Sequence, residues 1–273
     1  MGSVRSVALV SLVVLLPCSP WDSARAGAAA PAAVRPDRQP VSGTVTVAAA
    51  ASLRDVLSSL VSEYGKEHPG PRIVPVFGPS NQLSRQILEG APVDLFISAD
   101  ARSMDVLEKE ERIEPGTRTD LVTNTLLVMA SGKAASRIRT VEDLAGPAVT
   151  RIAICDEAVP LGHYARAWLA RHGLLDRLAD RMVRPADARA ALLMVDSAAV
   201  DAAIVYATDG RIAPSAKTVL VIPAAETPGI VYPAGVVARG PNPRGGLDFL
   251  WFLRGPAAAR IFEAAGFARA GAR

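Results

Sequence analysis

The stretch that decides the fold is Thr44-Val-Thr-Val-Ala-Ala-Ala-Ala-Ser-Leu-Arg-Asp-Val-Leu-Ser-Ser-Leu-Val-Ser-Glu-Tyr64. It opens with β-branched and apolar residues. From Leu53 the apolar positions are Val56, Leu57, Leu60, Val61 and Tyr64, the i, i+3, i+4, i+7 spacing of one helix face. A strand therefore feeds an amphipathic helix. The pairing recurs: 73–77, 94–98, 126–130, 151–155, 202–206, 219–222 and 230–237 read as further strands. Helices are expected over 101–110, 163–171 and 188–195, around Leu83, Ile87 and Leu88 up to Gly90, and at 249–253 and 257–265. Such βαβα alternation predicts parallel sheets covered on both faces, and the strands are too many for one small sheet, so two α/β lobes are expected.

Composition narrows the function. The chain has 273 residues, 50% hydrophobic, 21% charged and 5% aromatic, with a formal charge of +3 and a mean hydropathy of +0.24. These values suit helix-on-sheet cores and exclude a disordered or disulfide-stapled chain. No run of Lys and Arg with interleaved aromatics is present, so nucleic acid is not the expected partner.

The one long apolar run, residues 7–16, is too short to span a bilayer. Behind Arg5 and ahead of Ala24-Arg-Ala26 it reads as a secretory signal cleaved after Ala26. The rival is lipidation of Cys18, but Leu15-Leu16-Pro17 is a poor lipobox. Cleavage removes Arg5, Arg25 and Asp22, lowering the charge by one, and leaves Cys155 as an isolated thiol in an apolar strand, expected to be buried and inert. Residues 27–42, rich in Ala, Pro and Arg, read as a disordered leader.

Four strand-to-helix turns carry what an anion site needs, since helix starts present unpaired N–H groups and partial positive charge. They hold Ser52, Ser80 in Gly78-Pro-Ser-Asn81, the turn Val159-Pro-Leu-Gly162, and Pro185-Ala-Asp-Ala188. Each has a plainer reading. Ser52-Leu-Arg-Asp55 fits a capping box, Ser80 can cap its own helix, and Asp187 suits a cap better than an anion. A hydrolase using Ser52 or Ser80 needs a base. Of the three histidines, His68 lies in a loop, His172 precedes a terminating Gly, and His163 sits at a helix start without a recognisable elbow or metal-ligand motif. No His/Cys pair has metal-ligand spacing, and Asp100 and Asp105 read as a solvated cap and a helix face. Tyr206 and Tyr232, near strand ends, suggest a ferric-ion site, but no companion cluster is evident.

Thr46-Val-Ala-Ala-Ala-Ala-Ser-Leu53, Arg85-Gln-Ile-Leu-Glu-Gly-Ala-Pro-Val-Asp-Leu-Phe-Ile-Ser-Ala-Asp100, Val159-Pro-Leu-Gly162, Ile204-Val-Tyr206 and Leu253-Arg-Gly-Pro-Ala-Ala-Ala-Arg-Ile-Phe262 resemble the periplasmic molybdate-binding proteins of ABC importers. The likeness runs from about Thr44 to Phe267. It implies a type II periplasmic binding fold with a mixed, mostly parallel sheet in each of two lobes, one from 43–124 and 225–273, the other from 125–224. It also implies a monomer without cofactor that binds molybdate, and tungstate, outside the inner membrane and passes it to ABC permease subunits.

The family's ligand positions fall on the hydroxyls of Ser52, Ser80 and Tyr206 and the backbone N–H groups of Leu161 and Ala188. Leu161 replaces an Ala and Ala188 a frequent Val, which changes the shape of the cleft but not the donor count. Such a site would hold a dianion with neutral dipoles alone. Hydrogen phosphate would bring a proton with no acceptor, at a cost of ~1–3 kcal/mol. Sulfate or thiosulfate, which bring no proton, remain the alternative ligands.

Overall fold

The computed structural model describes residues 41–132 and 134–271, together with Gly2. Apart from Gly2, the expected signal segment lies outside the described residues, as does all of the expected leader except Val41 and Ser42. The first strand, β1 (Gly43–Ala50), leads through a 3-10 turn (Ala51–Leu53) into α1 (Arg54–Glu67); β2 (Pro71–Gly78) leads into α2 (Ser80–Leu88), and β3 (Leu95–Ile97) into α3 (Ala101–Lys109). Next come β4 (Thr119–Thr123) and β5 (Leu126–Ala130), β6 (Ile152–Ala153) with α4 (Pro160–Arg171), and β7 (Met182–Val183) with α5 (Ala188–Asp196). The chain continues through β8 (Ala202–Tyr206), α6 (Ala207–Gly210) and β9 (Lys217–Ile222), and ends with β10 (Val231–Val236), α7 (Pro243–Leu253), α8 (Pro256–Ala265) and β11 (Ala268–Arg269).

These strands form two sheets, ordered β11-β4-β10-β3-β1-β2 and β7-β6-β8-β5-β9. The chain passes from the first to the second between β4 and β5, and returns between β9 and β10. Both sheets are mixed, but the expectation of mostly parallel pairing needs correcting. In the first sheet β1 runs parallel to β2 and β3, whereas the β3–β10, β10–β4 and β4–β11 pairings are antiparallel. In the second, β6 runs parallel to β7 and β8, while β5 is antiparallel to both β8 and β9. The antiparallel partners are mainly the crossing strands. β5 and β10 enter a sheet from the other one, not by a βαβ crossover, so the rule that makes such crossovers parallel does not govern them.

The first sheet is buried on both faces with the two-residue period of a strand. Val45, Val47 and Ala49 join a core with Leu57 and Leu60 of α1 and Phe249 and Leu250 of α7. Ala48 and Phe96 join a separate cluster with Leu83, Ile87, Met104 and Leu107 of α2 and α3. The same two-sided burial explains the near-continuous apolar runs in β5 and β8, whose residues are all buried. Three helices open with Pro at their first turn, α4, α7 and α8. There the missing N–H costs nothing, and α4 and α7 begin several residues before their apolar periodicity does. Among the described residues, no helix is long and apolar enough to cross a membrane.

Candidate functional site

A cavity of ≈ 20 Å³ open to the centres of water-sized molecules lies where the ends of both sheets meet. That is room for a compact ion. Its lining follows the C-terminal ends of strands from both sheets, the usual ligand position in open α/β structures. Ala50 ends β1 and Ala51 and Ser52 follow it, Pro79 and Ser80 follow β2, and Ala99 follows β3; from the elements of the second sheet come Val159 to Leu161, Asp187, Ala188 and Tyr206. All five residues singled out by the sequence motifs thus line one cavity.

Neither serine caps its helix. The 3-10 turn makes Leu53 the residue at the α1 N-cap position, with no side-chain cap, and Pro79 occupies that position before α2. Ser52 Oγ instead lies 3.1 Å from Tyr232 Oη. Ser80 Oγ accepts the Ala99 N–H at 3.0 Å, which leaves the serine's own hydrogen to be donated elsewhere. Both side chains are buried, with partners that are not bases, so neither serine is set up as a nucleophile. The three histidines pair with carboxylates away from the cavity: His68 with Asp248, His163 with Glu157 and His172 with Glu226.

Leu161 and Ala188 occupy the first turns of α4 and α5, whose N–H groups have no intrahelical acceptor. Asp187 lines the cavity as a cap: its Oδ1 accepts the Ala190 N–H at 2.9 Å. Asp100 also caps its helix, through Ser103 N at 3.1 Å, but it is buried and not solvated as expected. Gly162 is required by the protein itself. A Cβ there would collide with the carbonyl of Asp156 and come within 2.6 Å of that of Cys155, so the turn before α4 packs on its own backbone.

Tyr206, the last residue of β8, is 1% exposed, and its hydroxyl has no hydrogen-bond partner among the described residues. Burial is the main cause that raises its pKa well above the usual phenol value, so the group is a neutral donor. Its ring lies 5.9 Å from that of Tyr232, whose pKa burial also raises. The two tyrosines of the ferric reading are therefore neutral phenols. Among the described residues no group of three or more His, Cys, Asp or Glu gathers to hold a metal ion. Burial likewise pushes the Cys155 thiol up to about 12, which makes it inert.

Among the described residues, no Lys or Arg lines the cavity. Apart from the capping carboxylate of Asp187, what faces it is a set of hydroxyls and helix-start N–H groups, able to surround an anion with donors without burying a cationic countercharge. Sequence reasoning missed Asn124, which stands behind the cavity and whose Nδ2 donates to Tyr232 Oη at 3.3 Å and Thr208 Oγ1 at 3.0 Å. Its local signal, a polar residue between two strands, is that of any turn.

Residues 45–268 match the family model of the bacterial extracellular solute-binding proteins. The chain is 35% identical over 232 residues to the molybdate-binding protein ModA of Haemophilus influenzae, spanning 83% of this chain and 90% of that one. It is 34% identical over 252 residues to ModA of Escherichia coli, spanning 90% and 97% respectively. Among solved structures, the periplasmic molybdate-binding protein of Azotobacter vinelandii matches with a TM-score of 0.74 at 27% identity, over 82% of this chain and 98% of its own.

Proposed function

The chain belongs to the bacterial extracellular solute-binding proteins, in the group of the molybdate-binding ModA proteins, and on that premise we propose that it captures molybdate, and tungstate, in the cavity between its two sheets and delivers the anion to an ABC importer. As a solute-binding protein it is not an enzyme. The ligand set of this reading is Ser52, Ser80 and Tyr206 through their hydroxyls and Leu161 and Ala188 through their backbone N–H groups. The observation that carries it is the buried Tyr206 hydroxyl, without a hydrogen-bond partner among the described residues and lining a cavity to which the Ser52 and Ser80 hydroxyls and the helix starts at Leu161 and Ala188 bring further donors. A buried hydroxyl left unpaired costs a fold ~1–3 kcal/mol, and an oxyanion supplies the acceptor.

Residues 1–26 would export the protein to the periplasm, where the processed chain acts as a monomer. Donors at all five proposed ligand positions suit an anion that carries no proton at neutral pH, which admits molybdate and tungstate and disfavours hydrogen phosphate. Sulfate is also free of a proton, so its exclusion would rest on the size of the cavity.

Calorimetry on the chain beginning at Gly27 tests the proposal, with molybdate, tungstate and sulfate titrated in turn. Tight one-to-one binding of molybdate and tungstate is expected. Lack of molybdate binding would sink the assignment, and tighter binding of sulfate would make the protein a sulfate carrier.

A further inference from the structure

Behind the cavity, residues distant in the chain form one buried string of hydrogen bonds. Asn124 lies in the passage between β4 and β5. Its Oδ1 accepts the Thr125 N–H at 2.9 Å, which fixes the other end of the amide as the donor. Nδ2 then gives one hydrogen to Thr208 Oγ1 at 3.0 Å and one to Tyr232 Oη at 3.3 Å. Tyr232 Oη in turn lies 3.1 Å from Ser52 Oγ.

The direction of each proton follows from this order. A phenol that accepts from an amide still has its own hydrogen to place, and the remaining partner of Tyr232 is Ser52 Oγ. Ser52 therefore accepts from Tyr232, so its own hydrogen points away from that ring, and Ser52 lines the cavity. Ser80 is held in the same sense by the Ala99 N–H.

We propose that Asn124 and Tyr232 are positioning residues that set specificity: they lock Ser52 as a donor into the cavity and so confine the site to oxyanions that carry no proton. The inference rests on the oxyanion reading above, and it assigns the selectivity to residues that do not touch the ligand. Without the lock, Ser52 can turn and offer a lone pair to a protonated anion.

The test is a double-mutant cycle of Ser52→Ala and Tyr232→Phe, read by calorimetry with molybdate and with inorganic phosphate. Because Tyr232 acts through Ser52, Tyr232→Phe should weaken molybdate binding about tenfold when Ser52 is present and less than about twofold when it is Ala. Phosphate should lose less than molybdate, so discrimination between them narrows.

Asn124→Asp keeps the side-chain size but replaces the donor with an acceptor, which reverses the string. It should weaken molybdate about tenfold or more and narrow the discrimination too. At a pH where phosphate, like molybdate, is a dianion, charge repulsion alone would weaken both anions equally. This variant carries the test if Tyr232→Phe lacks a ligand-free melting transition. Equal losses in both Ser52 backgrounds, or unchanged discrimination, would overturn the proposal. If the unmutated protein takes sulfate and not molybdate, the molybdate reading falls and the cycle is read with sulfate. If it takes no oxyanion, both fall.

Discussion

The hydroxyl of Tyr206 is buried at the end of β8 with no partner among the described residues, whereas the hydroxyls of Ser52 and Ser80 are both engaged. Removing each therefore has a different consequence for the ligand-free fold. Tyr206→Phe deletes an unsatisfied polar atom and keeps the ring, so the ligand-free melting temperature should rise by a few degrees. Anion affinity should fall about 10- to 100-fold, the worth of one hydrogen bond to a charged group. Ser80→Ala removes the acceptor of the Ala99 N–H and should lower both affinity and stability. Melting curves with and without molybdate separate the two patterns; a Tyr206→Phe protein that melts lower without ligand would contradict this account. At this scale the sequence motifs locate the residues that line the cavity. They do not locate Asn124 or its string, because its meaning arises only when residues 124, 208 and 232 meet in three dimensions.

Elements with a long apolar period, such as β1 with α1, are legible from sequence. β7 and β11 are two residues each, too short to show a period, and polar residues break the pattern of β4 (Thr119–Thr123). The start of α1 also misleads. Ser52 and Asp55 have capping-box spacing, but the intervening 3-10 turn moves the N-cap position to Leu53.

Asp55 instead binds across to α5, where it forms an ion pair with Arg189, the residue after Ala188. Arg189 Nε also donates to Ala51 O at 3.4 Å and lies 3.6 Å from Asp209. One side chain thus ties the turn carrying Ser52 to the helix start carrying the Ala188 N–H. Arg189→Ala should cut affinity about tenfold although every proposed ligand group remains, and calorimetry showing no change would discount the tie.

Asp209 gives this junction a pH signature. It is 1% exposed and accepts no hydrogen bond from the described residues, and burial pushes its carboxyl up to about 7 against the opposing pull of Arg189. In the unfolded chain it titrates near its ordinary value of 3.8. Between those values the folded protein holds a proton that the unfolded chain has released. The contribution of Asp209 is therefore fully present below about pH 4 and is lost as pH rises through about 7, a loss of roughly 4 kcal/mol. Asp209→Asn should become progressively more stable relative to the unmutated protein between about pH 4 and 7, measured by denaturant melts at several pH values. A pH-independent difference would show that Asp209 ionises normally in the fold.

Across the whole molecule, the near-neutral charge and apolar composition are consistent with a site that binds a dianion without a basic patch, using dipoles that only converge when both sheets contribute. Contacts around the cavity already run from one sheet's elements to the other's: Tyr164 Oη donates to Ala99 O at 3.4 Å, Arg102 Nη2 donates to Glu157 O at 3.4 Å, and Arg189 pairs with Asp55. The covalent links between the sheets are only the passage at Asn124–Thr125 and the return between Ile222 and Val231. A body joined that way can hinge, and an anion bound by donors from both sides favours the arrangement in which all of them reach it. Small-angle scattering should therefore show a smaller radius of gyration with molybdate than without. Tyr164→Phe combined with Arg102→Ala should enlarge the ligand-free radius, since neither residue is among the proposed ligands and both hold the sheets together. If ligand leaves the radius unchanged in both proteins, the anion is taken up by a rigid body, and selectivity would then rest on the preformed cavity alone.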